Sequence, residues 1–210
     1  MDARIFKGAF SYGTSTATAA TAFSQLIPPF QNRKTRITSV SYRCGSTINN
    51  LVLMRPLGHT TVTTAVAEAG TVINLTANPG VTGNAAASND WFAVELVDGR
   101  YQYGTFTLST LAATVTAVAA GTGGIAAGAK FWWFGLPADT GHITITPAAS
   151  TTREYTDLHG GLLTTGLPTK DYDADIYNNR SGNGDPAIVY CANAIAQCWI
   201  DRVSGYYAAM

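Results

Sequence analysis

The amino-acid sequence predicts an all-β protein: an antiparallel β-sandwich of jelly-roll type into which a small β-barrel of SH3 or OB type is inserted. Three observations carry that expectation. Only 12% of the 210 residues are charged, 13 basic against 13 acidic, about half of the ~25% usual for a soluble domain. Four Lys and three Glu are too few to solvate the outer faces of a helical bundle. Apolar residues alternate with polar ones at a period of two, as in a half-buried strand, and turn signals separate the runs. Ten Tyr, eight Phe and four Trp provide the bulk for a core, and the length suits one large domain or two small ones.

Taken in chain order, Pro28-Pro29 bars a central strand and places a loop before the strand that begins near Arg36. From Thr38 to Cys44 the pattern sets Val40, Tyr42 and Cys44 on one face and Ser39, Ser41 and Arg43 on the other. Gly45-Ser46-Thr47 interrupts, and Leu51-Val52-Leu53-Met54 reads as a more deeply buried strand, expected to pair antiparallel with the first. Thr61 to Thr64, Thr71 to Leu75 and His142 to Thr146 are further strands, with Ile143 and Ile145 sharing a face.

The clearest local unit runs from residue 86 to residue 136. Trp91 to Val97 leads into Asp98-Gly99 and out through Arg100 to Tyr103, and Asp-Gly is a strong two-residue hairpin signal. Ala113 to Val118, a turn at Gly121 to Gly124 and the strand Ala129 to Phe134 follow. Several strands within so short a span are the size of a small barrel. In the last of them Trp132 and Phe134 share one face and Phe131 and Trp133 the other, at least one of these faces being core. The expected domains are therefore a discontinuous sandwich, residues 1–85 with 137–210, and an inserted barrel, residues 86–136.

Pro186 to Cys191 and Cys198 to Val203 close the sandwich. Ala192, Ile195, Ala196, Trp199, Ile200 and Val203 also fit helical spacing; the strand reading is preferred because Ala192-Asn193 looks like a turn after a strand.

Formal net charge is zero, which excludes a broadly basic nucleic-acid coat. The charge is uneven, however. Residues 1–60 hold seven basic residues and one acidic residue, for a net +6, and the remainder carries −6. Between Tyr101 and Thr152 only Lys130 and Asp139 are charged, so that stretch shows Thr, Ala, Ser and Gly to its surroundings, as surfaces that pack on protein do. No apolar run reaches the length of a signal peptide core or a membrane span, so cytosolic synthesis without a membrane anchor is expected. Cys44, Cys191 and Cys198 have no metal or disulfide spacing and read as buried free thiols.

Candidate chemistry is sparse. Gly121-Thr122-Gly123-Gly124-Ile125-Ala126 meets a dinucleotide-binding pattern, but that motif needs a following helix to hold the pyrophosphate, and here a strand follows, so a turn is expected. Asp139-Thr140-Gly141 matches the aspartic-protease triplet in one copy only, and Pro137-Ala138 before it fits a turn. His59, His142 and His159 lack metal-binding spacing, and no nucleophile elbow accompanies Asp157-Leu158-His159. Asp171, Asp173 and Asp175 with Asn178, Asn179, Asn183 and Asp185 gather oxygen ligands that calcium favours, but Ile176 and Gly182 break the EF-hand pattern, leaving a solvated acidic loop as the preferred reading. No enzyme activity, cofactor or metal is expected. Arg33-Lys34-Thr35-Arg36 is the only basic cluster. It lacks interleaved aromatics, which points to an acidic protein surface rather than to nucleic acid.

The segments Ala87-Ser88-Asn89-Asp90-Trp91-Phe92 and Gly128-Ala129-Lys130-Phe131-Trp132-Trp133-Phe134-Gly135, set among Ala/Thr/Gly-rich strands, resemble those of tailed-bacteriophage virion proteins of the head-decoration and auxiliary structural kind. The resemblance implies a structural role in a virion and brings no catalytic residues. The expected partners are the major capsid protein or other virion proteins together with further copies of the chain, through Arg4, Lys7, Arg33, Lys34 and Arg36. The alternative is a glycan-binding module of a tail fibre, with Trp132, Tyr101 and Tyr103 as a stacking platform.

Overall fold

The computed structural model describes residues 10–12, 15–17, 23–29, 33–44, 51–81, 89–139, 142–145, 154–157, 185–191 and 198–209. Among these residues there is no helix, and every strand pairing is antiparallel. The chain divides into two compact units, Met1–Arg55 with His142–Met210, and Pro56–Gly141.

The first unit holds two sheets. In one, β1 (Phe10–Tyr12), β15 (Cys198–Ala209), β4 (Arg33–Cys44) and β13 (Glu154–Asp157) lie in that order, and β2 (Ser15–Ala17) also pairs with β15. In the other the order is β12 (Ile143–Ile145), β5 (Leu51–Met54), β14 (Ala187–Cys191), β3 (Phe23–Ile27). Residues 198–209 are thus a strand along their whole length, and Pro28 and Pro29 stand outside β3 and β4 as expected.

The predicted pairing of Val40-Tyr42-Cys44 with Leu51–Met54 is corrected: β4 pairs with β13 and β15, whereas β5 pairs with β12 and β14. The reason is burial. Val52, Leu53 and Met54 are all inside, as are Ala187, Ile188 and Val189, so both faces of β5 and β14 are covered. A strand with Ser39, Ser41 and Arg43 on one face could not lie beside them without dehydrating those groups. The cross-strand partners of β4 respect its alternation: Val40 faces Val203, Tyr42 faces Ile200 and Cys44 faces Cys198, while Ser39 faces Ser204 and Ser41 faces Arg202.

The second unit is one six-stranded sheet, in the order β6 (Gly58–Thr61), β11 (Lys130–Gly135), β8 (Asp90–Glu95), β9 (Tyr101–Ser109), β10 (Ala112–Thr114), β7 (Val72–Asn74). The sheet curls until its outer strands meet, through the bridge Val62 to Leu75 and the bonds from Thr63 N–H to Asn74 O (2.7 Å) and Thr76 N–H to Thr61 O (2.9 Å). Strands β6 and β7 lie upstream of the expected boundary at residue 86, yet they complete this sheet and not the other two. Phe92, Phe106 and Phe131 occupy its centre, Phe92 stacked on Phe131 at 5.2 Å and Phe106 edge-on to both. Trp133 packs on the same cluster, and Trp132 and Phe134 on the opposite face of β11 are buried as well.

The β8–β9 hairpin forms where Asp98-Gly99 predicts it, with a different turn. Leu96 N–H donates to Arg100 O (2.8 Å) and Gly99 N–H to Leu96 O (2.9 Å), so the loop is the three residues Val97-Asp98-Gly99, with Gly99 at φ 84°. That is the three-residue loop whose last position needs left-handed backbone, which glycine adopts without strain.

Candidate functional site

A dense polar cluster of the second unit is a cap built from three loops, residues 66–70, 97–100 and 118–125. Val66 and Ile125 exchange backbone hydrogen bonds at 2.8 and 2.9 Å, Ala69 N–H donates to Val118 O, and Val97 and Asp98 N–H donate to Gly124 and Thr122 O. Into this frame Glu68 sends a carboxylate whose Oε1 accepts from the amides of Thr122 (2.8 Å) and Gly123 (2.7 Å). Gly121, Gly123 and Gly124 all have positive φ, the backbone form that turns successive N–H groups towards one anion. The glycine run matching the dinucleotide pattern is therefore a turn, as expected, and the anion it holds is a carboxylate of its own chain. On the other side Arg100 donates through Nε to Asp98 and through Nη2 to Gly121 O (3.0 Å). Each charge of the cap thus has a partner within the unit.

The amides of Gly123 and then Gly121 hold the Glu68 carboxyl below its usual 4.5, against a smaller opposing effect of desolvation, with Thr122 and Arg100 adding to the lowering. The Arg100 amide does the same for Asp98, its guanidinium assisting. For a depressed carboxyl, stability is present above the unfolded pKa and lost as pH falls through the folded one. We expect the Thr122 and Gly123 amides to be protected from hydrogen exchange at neutral pH and to lose that protection below pH 4.5. In Glu68→Gln the step at these two amides should vanish while the Arg100 amide keeps its own. A step that persists in Glu68→Gln would assign it to another group.

The outer face of β7, β10 and β9 is of another kind. Across β7, β10 and β9, Asn74 lies opposite Ala112 and Ala112 opposite Ser109, while Val72 lies opposite Thr114 and Thr114 opposite Thr107. Val72 (44% exposed), Asn74, Thr105, Ser109, Leu111 (37%) and Thr114 are all exposed, and none is charged. Strands form here because Thr and Val suit a pleated surface. Solvation by Lys or Glu is missing from it.

The aromatic platform takes a different form from the one expected. Trp132 is 2% exposed, with the Tyr101 ring 6.1 Å away and Lys130 Nζ 5.4 Å from its centroid. Tyr101 and Tyr103 are half-buried, and desolvation, with Glu95 second, pushes the Tyr101 hydroxyl up to about 12.

The other predicted residues are placed as follows. Arg33, Lys34 and Arg36 lie at the start of β4, opposite Ala209, Ala208 and Tyr206 of β15. Arg4, Lys7, His159 and residues 171–184 of the acidic loop lie outside the described residues. Asp139 ends a turn, its Oδ2 accepting from Leu136 N–H at 2.7 Å. His59 is exposed on β6, and His142 Nδ1 accepts from Arg55 N–H at 3.3 Å. Cys191 is a buried free thiol. Among the described residues no group of three or more His, Cys, Asp or Glu is arranged to hold a metal, and no helix is long and apolar enough to cross a membrane. Reading the sequence missed the Glu68 cradle. Its signal was the glycine run, which marks where amides can converge but not which of the chain's carboxylates, 54 residues distant, fills the place.

No protein-family model matches the chain, and neither a curated protein nor a solved structure matches it.

Proposed function

We propose that this chain is a structural component of a virion, a capsid-associated protein of the head-decoration kind that oligomerises and packs on the shell formed by the major capsid protein. In this reading the two sheets of the first unit form a jelly-roll-like sandwich and the second unit an SH3- or OB-like barrel, and the protein resides in the virion after synthesis in the host cytoplasm. The observation that supports it is the uncharged face of β7, β10 and β9. Interfaces that pack on protein are depleted of charged residues at their centre, and an exposed sheet face of Thr, Ser, Asn, Val and Leu gains most by being covered.

The test is sedimentation of the protein from its natural source, beside a Thr114→Lys variant. Thr114 is exposed, so the substitution leaves the fold within about 0.5 kcal/mol of the parent, but an interface there would bury an unpaired ammonium. The parent should sediment with a particle and the variant should lose at least about tenfold in occupancy, since 1.4 kcal/mol suffices for that. A parent that sediments free of any particle, or a variant that binds normally, would sink the reading.

A further inference from the structure

We propose that one face of the β1-β15-β4-β13 sheet is a binding platform for single-stranded nucleic acid. The register supplies what the basic run Arg33-Lys34-Thr35-Arg36 lacks by itself. Between Ser204 and Gly205 the register shifts by one residue, and the extra residue, Thr38, belongs to β4, so the alternation of β15 continues unbroken from Arg202 to Ala209. Arg202, Ser204, Tyr206 and Ala208 therefore share a face, together with their partners Ser41, Ser39, Arg36 and Lys34. At the second shift the extra residue, Asp201, belongs to β15, so β4 alternates without a break from Ser39 to Cys44 and brings Arg43, opposite Trp199, onto the same face. Tyr155 of β13 joins it opposite Ser41.

That face thus collects four cations, Lys34, Arg36, Arg43 and Arg202, with three aromatics, Trp199, Tyr206 and Tyr155, against the carboxylate of Asp157 opposite Ser39 and that of Asp201 at the bulge beside Arg202, an excess of at least two positive charges. Residues two apart on a strand repeat at about 6.7 Å, and adjacent strands lie about 4.8 Å apart. The positions fall in two groups, Lys34, Arg36 and Tyr206 at one end and Arg43, Arg202, Trp199 and Tyr155 at the other, with the Ser39–Ser204 pair between them, and each group combines cations with a ring. Such an excess of positive charge needs water or an anionic partner. An acidic protein surface would answer the cations but does not offer the rings a regular series of flat partners. A single strand answers both, since its phosphates take the Arg and Lys and its unpaired bases stack on the aromatics. A duplex keeps its bases stacked inside and gains nothing from the rings. The inference is independent of the packing role, which rests on the other unit.

The test measures binding of a fluorescent oligothymidylate to the full chain by anisotropy over a salt series, with an oligouridylate, a duplex and polyglutamate as further arms. Tight binding of the single strands at low salt is expected, with log K falling against log salt at a slope of about −3, four phosphate contacts at ~0.7 each. The duplex and polyglutamate should bind at least tenfold more weakly. Arg43→Gln with Arg202→Gln should flatten the slope to about half. Trp199→Ala with Tyr206→Ala should cost about tenfold or more at unchanged slope, and Trp199→Phe with Tyr206→Phe should restore binding. Equal or tighter binding of polyglutamate would overturn the proposal in favour of an acidic protein partner. No binding of the oligothymidylate at low salt, or indifference to both aromatic pairs in protein whose unfolding midpoint is unchanged, would overturn it outright.

Discussion

Phe131→Ala is expected to destabilise the second unit by about 3–5 kcal/mol, the range for truncating a fully enclosed phenylalanine. Phe131 has no exposed surface, lies on β11 between β6 and β8, and touches two rings at once, stacking on Phe92 and meeting Phe106 edge-on, both at 5.2 Å. Ring pairs of this geometry contribute about 0.5–1.5 kcal/mol each beyond the burial of area, so the alanine variant loses transfer energy, two ring contacts and the packing around the space left. Phe131→Leu keeps most of the volume and should cost less than half as much. Urea unfolding followed by tryptophan fluorescence reads the effect directly, because Trp91, Trp132 and Trp133 all belong to this unit. An alanine variant within 1 kcal/mol of the parent would be incompatible with a core centred on these rings.

Gly124→Ala should cost about 3 kcal/mol or more, and Gly121→Ala only about 1–2. Both glycines have positive φ, 83° and 71°, and a β-carbon in that backbone form is penalised by roughly 1–2 kcal/mol. The difference lies in what the β-carbon meets. At Gly121 nothing lies within 4 Å, whereas at Gly124 it would sit 2.2 Å from Val66 O. That oxygen accepts from Ile125 N–H in the reciprocal pair that ties residues 66–70 to residues 118–125. The alanine variant must open this pair, at about 1 kcal/mol for each bond lost, and with it the place where Thr122 and Gly123 hold Glu68. Denaturant unfolding of the two variants side by side isolates the contact from the backbone preference. Equal losses would mean that the close approach of Val66 carries no energy.

Local chemistry made part of this molecule legible. The run Val40 to Cys44 reads as a strand because its apolar residues recur every two positions, and it is one. Asp98-Gly99 marks the hairpin because few residues besides glycine enter the left-handed region without cost, although the turn has three residues rather than two. The run Phe131 to Phe134 shows that a core strand is present: alternation called for at least one buried face, and Phe131 on one side and Trp132 and Phe134 on the other are all buried.

Pairing was a different matter. Leu51–Met54 and Val40 to Cys44 are near neighbours in the chain and lie in different sheets, because a strand buried on both sides needs apolar neighbours on both sides, which Ala187–Cys191 and Ile143–Ile145 supply from far along the sequence. The basic run at Arg33 was visible from the start. That Tyr206 and Trp199 both share the face of Lys34 and Arg36 depends on two single-residue register shifts, which no local pattern encodes. By itself, then, the sequence determined that the chain is built of strands, where several turns fall and how unevenly charge is spread, since all of these follow from the geometry of a few adjacent residues. The strand limits shifted, β6 ending at Thr61 and β10 at Thr114, short of the runs expected to Thr64 and Val118. Only the tertiary structure decided which strands are neighbours, which carboxylate fills the glycine cradle and which aromatics join the cations. Those choices are made by matching buried faces and hydrogen-bonding edges across long separations, where the period of a single strand carries no information.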